Sequence, residues 1–199
     1  MDLVELGQLV VLFFVIIDPI TSFAVFFVLT SDKTEAERMR TATMAVTVAA
    51  ALAYGVLLLG SFLLDMFSTS IDDLRVAGGI ILLILGIQMA LGLSYTGGEN
   101  GGAQKSVQAI ASIVATPFLS GPATITAIII SESDFGLLLT GLAVTIVLVF
   151  TAALFVLSAR LNRFINRTAV QIMSTVLGVI TIAWGVNYIR TGLMAAMGL

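Results

Sequence analysis

This chain contains no cysteine and no histidine. Without cysteine there is no disulfide and no thiol nucleophile. Without histidine, the commonest metal ligand and the usual general base near neutral pH are missing. Charge is scarce too: 11% of the residues are charged, against about 25% in an ordinary soluble domain. No basic patch points to nucleic acid. "GGENGG" (97–102) lacks the Lys-Ser/Thr ending of a phosphate-binding loop, and it reads as a flexible linker. ATP is therefore not expected to drive whatever the chain does.

Apolar residues fill the space these absences leave. Of 199 residues, 59% are hydrophobic, and the mean hydropathy is +1.12. A helix needs roughly 20 apolar residues to cross a bilayer core of about 30 Å. Runs of that length recur, and the spans are read at about 3–30, 41–64, 74–94, 106–131, 135–158 and 169–190. The reading is an all-α polytopic membrane protein of six transmembrane helices in one domain, 1–199. The first run follows Asp2 and Glu5 with no basic residue before it, so it reads as a span and not as a cleaved leader.

Basic residues set the orientation. The connectors on one side carry Lys33, Arg38, Arg40, Lys105, Arg160, Arg163 and Arg167, and the other side has only Arg75 and Arg190. By the positive-inside rule this is a multi-pass protein of the cell membrane with both termini outside.

The chain also matches itself. "GGIILLILGIQM" (78–89) aligns with "LGVITIAWGVNY" (177–188), placing Gly79 on Gly178, Gly86 on Gly185 and Gln88 on Asn187. "DPITS" (18–22) aligns with "GPATI" (121–125), placing Pro19 on Pro122. The longer connector at 31–40 accounts for the difference in offset. Three spans per half is an odd number, so the halves 1–94 and 106–199 are expected as inverted repeats, an arrangement found in transporters.

The prolines sit where a helix should not break. Proline lacks an N–H and clashes with the carbonyl four residues back. In hydrocarbon such a break survives only inside protein or beside water. Helices 1 and 4 are therefore expected to be interrupted near the bilayer midplane. Asp18 and Gly121 take the cap position, and Pro19 and Pro122 the first helical position, which are favoured identities there. Pro117 opens a short link, "TPFLSGP" (116–122).

A helix start offers free N–H groups and about half a positive charge. With Gly121 as cap, the N–H groups of Ala123 and Thr124 are open to a ligand carboxylate. Asp18 either satisfies Ile20 and Thr21 as a simple cap or attracts a cation. If the two starts meet, one pole is negative and the other positive, which suits a zwitterion. The expected substrate-binding residues are Asp18, Pro19, Ile20, Thr21, Ser22, Thr116, Ser120, Gly121, Pro122, Ala123 and Thr124, with Asp18 as coupling-ion candidate. Gln88 and Asn187 divide between helix–helix bonding and cavity lining. Trp184 reads as packing, and Arg75 and Arg190 as interfacial anchors.

Enzymatic readings fail on residue supply. A membrane aspartyl protease needs two carboxylates inside spans, and only Asp18 lies there. Serine and zinc proteases need histidine. No enzyme, no cofactor and no metal site are expected, and no oligomeric state follows from the residues.

"IIDPITSFAVFF", "ATPFLSGPATITAII" and "RVAGGIILLILGIQM" together resemble the MarC family, also described as small neutral amino acid transporters of the SnatA type. The resemblance covers essentially the whole chain. It implies six spans, an inverted repeat, and proton- or sodium-coupled uptake of glycine, alanine or similar solutes. This chain departs from the family at Thr21-Ser22, where Gly-Asn is usual. The expected function is thus secondary active transport of a small neutral amino acid with H⁺ or Na⁺. The alternative is a non-transporting membrane subunit or a passive small-solute channel.

Overall fold

The computed structural model describes residues 3–30, 33–92, 121–160 and 167–198. They form α1 (Leu3–Ile17), α2 (Pro19–Leu29), α3 (Glu35–Met66), α4 (Ile71–Ala90), α5 (Pro122–Arg160) and α6 (Arg167–Ala196). There is no strand among the described residues. Five helical stretches are long and apolar enough to cross a membrane: Leu3–Phe27, Glu35–Met66, Ile71–Ala90, Pro122–Leu157 and Gln171–Ala196. The chain is an all-helical, multi-pass membrane protein.

Five stretches replace the expected six for a simple reason. The fourth expected span, 106–131, is described only from Gly121 onward, and that part runs on into the fifth. The merged helix α5 has 39 residues. A straight helix of that length measures about 58 Å, roughly twice the bilayer core. Gly136 breaks it, with φ 82° and ψ 165°, a conformation that side-chain-bearing residues rarely adopt. The two parts are 122–135 and 137–160, and the second coincides with the expected fifth span.

Two helix starts are set by local chemistry. Thr34 caps α3: its Oγ1 accepts from Glu37 N at 3.3 Å, and Glu37 Oε2 accepts from Thr34 N at 2.9 Å. Ser70 and Asp73 repeat the reciprocal box at α4. This box begins α4 at Ile71, a turn before the expected 74.

Helix α5 is the element on which α1, α2, α3 and α4 all pack. Leu9, Phe13 and Ile17 of α1, Phe26 of α2, Leu82 of α4 and Ile128, Val144 and Phe155 of α5 share one buried cluster. Phe26 stacks on Phe155 with centroids 4.5 Å apart and planes 7° from parallel. Helix α3 joins through Ala42, Ala45, Ala49 and Ala53, a stripe of small residues one helical face wide. Small residues let membrane helices approach closely. The opposite face, with Leu58, Leu59 and Phe62, is exposed, as a lipid-facing surface should be.

Helices α4 and α6 cross with their backbones touching. A Cβ added at Gly79 would lie 2.6 Å from Gly185 O, and one at Gly86 would lie 2.7 Å from Gly178 O. The reverse additions collide equally: Gly185 with Gly79 O at 2.7 Å and Gly178 with Gly86 O at 2.8 Å. Any side chain here would force the helices apart.

Candidate functional site

The first break is built around Asp18. It separates α1 from α2 with φ 44°, a left-handed conformation that Asp tolerates better than most residues. Its N–H still closes α1 on Phe14 O at 3.1 Å, and its carbonyl opens α2 by accepting from Ser22 N at 3.0 Å. Its Oδ1 accepts from Thr21 N at 3.2 Å. Pro19 has no N–H, so the next carbonyl back, that of Val15, loses its normal helical donor. Ser22 mends part of the gap by donating its Oγ–H to Ile17 O at 3.2 Å. Thr21 Oγ1 lies near the Asp18 carboxylate without reaching hydrogen-bond geometry, and it is buried without a partner. Asp18 is 8% exposed and Ser22 fully buried, so the break faces protein and not lipid.

The second start has the same backbone grammar. Gly121 is non-helical and buried, Pro122 begins α5, and Ile125 N donates to Gly121 O at 3.0 Å. Thr126 Oγ1 donates to Pro122 O at 2.9 Å. Ala123 and Thr124 are buried, whereas Pro122 itself is exposed. Ile17, next to Asp18, and Ala123, next to Pro122, belong to the same buried cluster. Thr116 and Ser120 lie outside the described residues. Each recorded hydrogen bond of the Asp18 carboxylate runs to the start of its own helix.

A cleft of about 760 Å³ was not foreseen from the sequence. It runs along α1 from Val4 to Leu12 and is closed by Ser131, Asp134 and Phe135 of α5 and by Trp184, Asn187 and Tyr188 of α6. At its edge Asp134 pairs with Arg75 of α4, which also holds Asp72 at 2.6 Å. Arg75, expected as an interfacial anchor, also ties α4 to α5. Arg38 was counted only as a connector charge. It is buried, its Nε donates to Thr30 O at 2.8 Å, and its guanidinium lies 5.8 Å from the Phe27 ring centre. It therefore holds the carbonyl end of α2, where a cation is favourable. Among the described residues no cluster of three or more acidic side chains is placed to hold a metal.

The chain matches the model of the MarC family of integral membrane proteins over residues 3–197. It belongs to the MarC family. One relative, a UPF0056 membrane protein of Buchnera aphidicola subsp. Baizongia pistaciae, is 30% identical over 192 residues, covering 92% of this chain and 89% of the relative. The UPF0056 membrane protein YhcE of Escherichia coli is 28% identical over 189 residues, 90% of this chain and 87% of its own length. The UPF0056 inner membrane protein MarC of Citrobacter koseri is 27% identical over 213 residues, 98% and 96% of the two chains. No solved structure matches the chain.

In this MarC-family chain the two proline-led helices differ in what their caps leave open. At α2 the carboxylate accepts from the Thr21 amide at 3.2 Å. At α5 the cap is a glycine, so no side chain of residue 121 competes for the first amides. One start is thus a carboxylate site with buried hydroxyls beside it. The other has no cap side chain among the described residues, and helix starts of that kind accept anions.

Proposed function

We propose that this chain is a secondary active transporter of small neutral amino acids, glycine and alanine among them, driven by a proton or sodium gradient. The observation that carries the reading is the buried Asp18 at a helix break inside a membrane span. Ionisable groups at that depth are costly and typically serve a solute or ion path. Asp18 holds the coupling cation or the substrate ammonium, and the Gly121-led start of α5 receives the carboxylate. Thr21, Ser22 and Thr124 supply hydroxyls sized for a small solute.

The paired glycine contacts support an inverted repeat of 1–94 and 106–199. The alignment equates Gly79 with Gly178 and Gly86 with Gly185. Applied to the contact between Gly79 and Gly185, that equivalence yields the contact between Gly178 and Gly86, which is also present. A two-fold relation produces such reciprocal pairs. The count of seven of the nine basic residues on one side supports termini that lie outside.

The test is uptake of labelled alanine by the purified chain in liposomes, under a proton gradient or a sodium gradient imposed separately. A coupled carrier concentrates alanine under one gradient. Equilibration without concentration would mean a channel, and no movement under either gradient would remove the transport reading.

A further inference from the structure

The cleft between α1, α5 and α6 lies away from the Asp18 break. Its lining ends at Leu12 on α1, six residues and about 9 Å short of Asp18 at the helical rise per residue. Three features give it the makings of a site. Ser131 is 1% exposed, lines the cleft, and stands near the Tyr188 hydroxyl without reaching hydrogen-bond geometry, so its Oγ has no partner. A buried hydroxyl left this way is costly unless something pairs with it. Asp134 shares Arg75 with Asp72, so two carboxylates divide one guanidinium and Asp134 is only partly neutralised, while Arg190 is held by Asn187 Oδ1 at 3.0 Å. Trp184 and Tyr188 add two aromatic side chains to the lining, and aromatic faces attract cations.

We propose that this cleft is a second binding site, one that takes the primary ammonium group of a small free solute. The ammonium sits against Asp134 and the aromatic pair, and Ser131 Oγ and the Asn187 amide bond the rest of the molecule. If the Asp18 break is the transport site, the cleft is an antechamber in line with it along α1. Only that last step rests on the transport reading. Gln88, which aligns with Asn187, has a buried Oε1 without a partner among the described residues. The Asn187 amide oxygen, by contrast, accepts from Arg190 Nη2 at 3.0 Å, which leaves its N–H₂ to face the cleft.

The protein holds its own reporter, because Trp184 is its only tryptophan. Full-length chain in phosphatidylcholine nanodiscs is titrated with alanine, glycine, methylamine and acetate while tryptophan emission is followed. A saturable change with the three ammonium solutes and none with acetate is expected. Asp134→Asn should weaken the response about tenfold, the effect of losing one charge-assisted bond. Asn187→Ala should weaken it a few-fold without touching the Arg75 pair, which keeps the test valid if Asp134→Asn does not fold. A silent Trp184 in folded protein, an equal response to acetate, or a response that follows phosphatidylethanolamine content instead of added solute would each overturn the site. Uptake with a silent Trp184 sinks the cleft alone. A saturating Trp184 without coupled uptake sinks the transport reading and leaves the cleft standing.

Discussion

The starts of α2 and α5 use the same backbone device with opposite endings. Each has a non-helical cap followed by proline, and each cap carbonyl accepts the first helical bond at 3.0 Å. Asp18 then adds a carboxylate and a left-handed backbone, while Gly121 adds nothing. The comparison teaches that a helix break in a membrane is one feature and its polarity another. Proline sets the break by removing a donor. The residue before it decides whether the exposed amides are already answered by a carboxylate or left for a ligand.

The comparison breaks most visibly at Asp18. Asp18→Asn keeps a cap and tolerates the left-handed backbone, so the protein should fold, with unchanged helicity by circular dichroism. Gradient-driven alanine uptake should fall to background. Normal accumulation by this variant would take Asp18 out of the mechanism.

The converse change makes both starts alike. Gly121→Asp places a second carboxylate beside the first amides of α5. Uptake should drop by at least about tenfold, the effect of losing one good charge-assisted contact. Unchanged transport would mean that the α5 start does not receive a carboxylate.

Stability separates backbone from charge at the first break. Asp18→Gly fits the left-handed φ freely and should cost well under 1 kcal/mol, since glycine replaces a cap at a few tenths. Asp18→Ala loses the cap and adds left-handed strain, about 2 kcal/mol together. Thermal unfolding in detergent should rank wild type and Gly close together and Ala clearly lower. The smallest effect is expected at Ser22→Ala, which removes only the hydroxyl bond to Ile17 O. It should lower stability by about 1 kcal/mol, read in the same assay.

Much of this was legible before any coordinates. Asp18-Pro19 and Gly121-Pro122 announce helix starts because proline chemistry is local. Thr34-x-x-Glu37 spells its own capping box. Gly79, Gly86, Gly178 and Gly185 stood out as a repeat because glycine is the residue that allows backbones to touch. Other features were hidden. Arg75 read as an anchor because its partner Asp134 is distant in sequence and reaches it only through helix packing. Arg38 looked like a loop charge because nothing local says that its side chain turns back onto Thr30. The break at Gly136 was hidden inside the expected fifth span, 135–158, since a glycine among apolar residues carries no sign of its φ.

Composition and spacing alone therefore determined the membrane class, the apolar spans, the proline-led starts and the glycine pairs. These depend on solvation and on bonds made within a few residues. The tertiary fold alone decided that α5 is the central packing element, that Asp18 is buried among protein and not in lipid, and that α1, α5 and α6 leave a cleft between them, largely apolar with a few polar groups. Those facts depend on which helix faces meet. In an almost uniformly apolar chain many faces look alike, and only close packing selects among them.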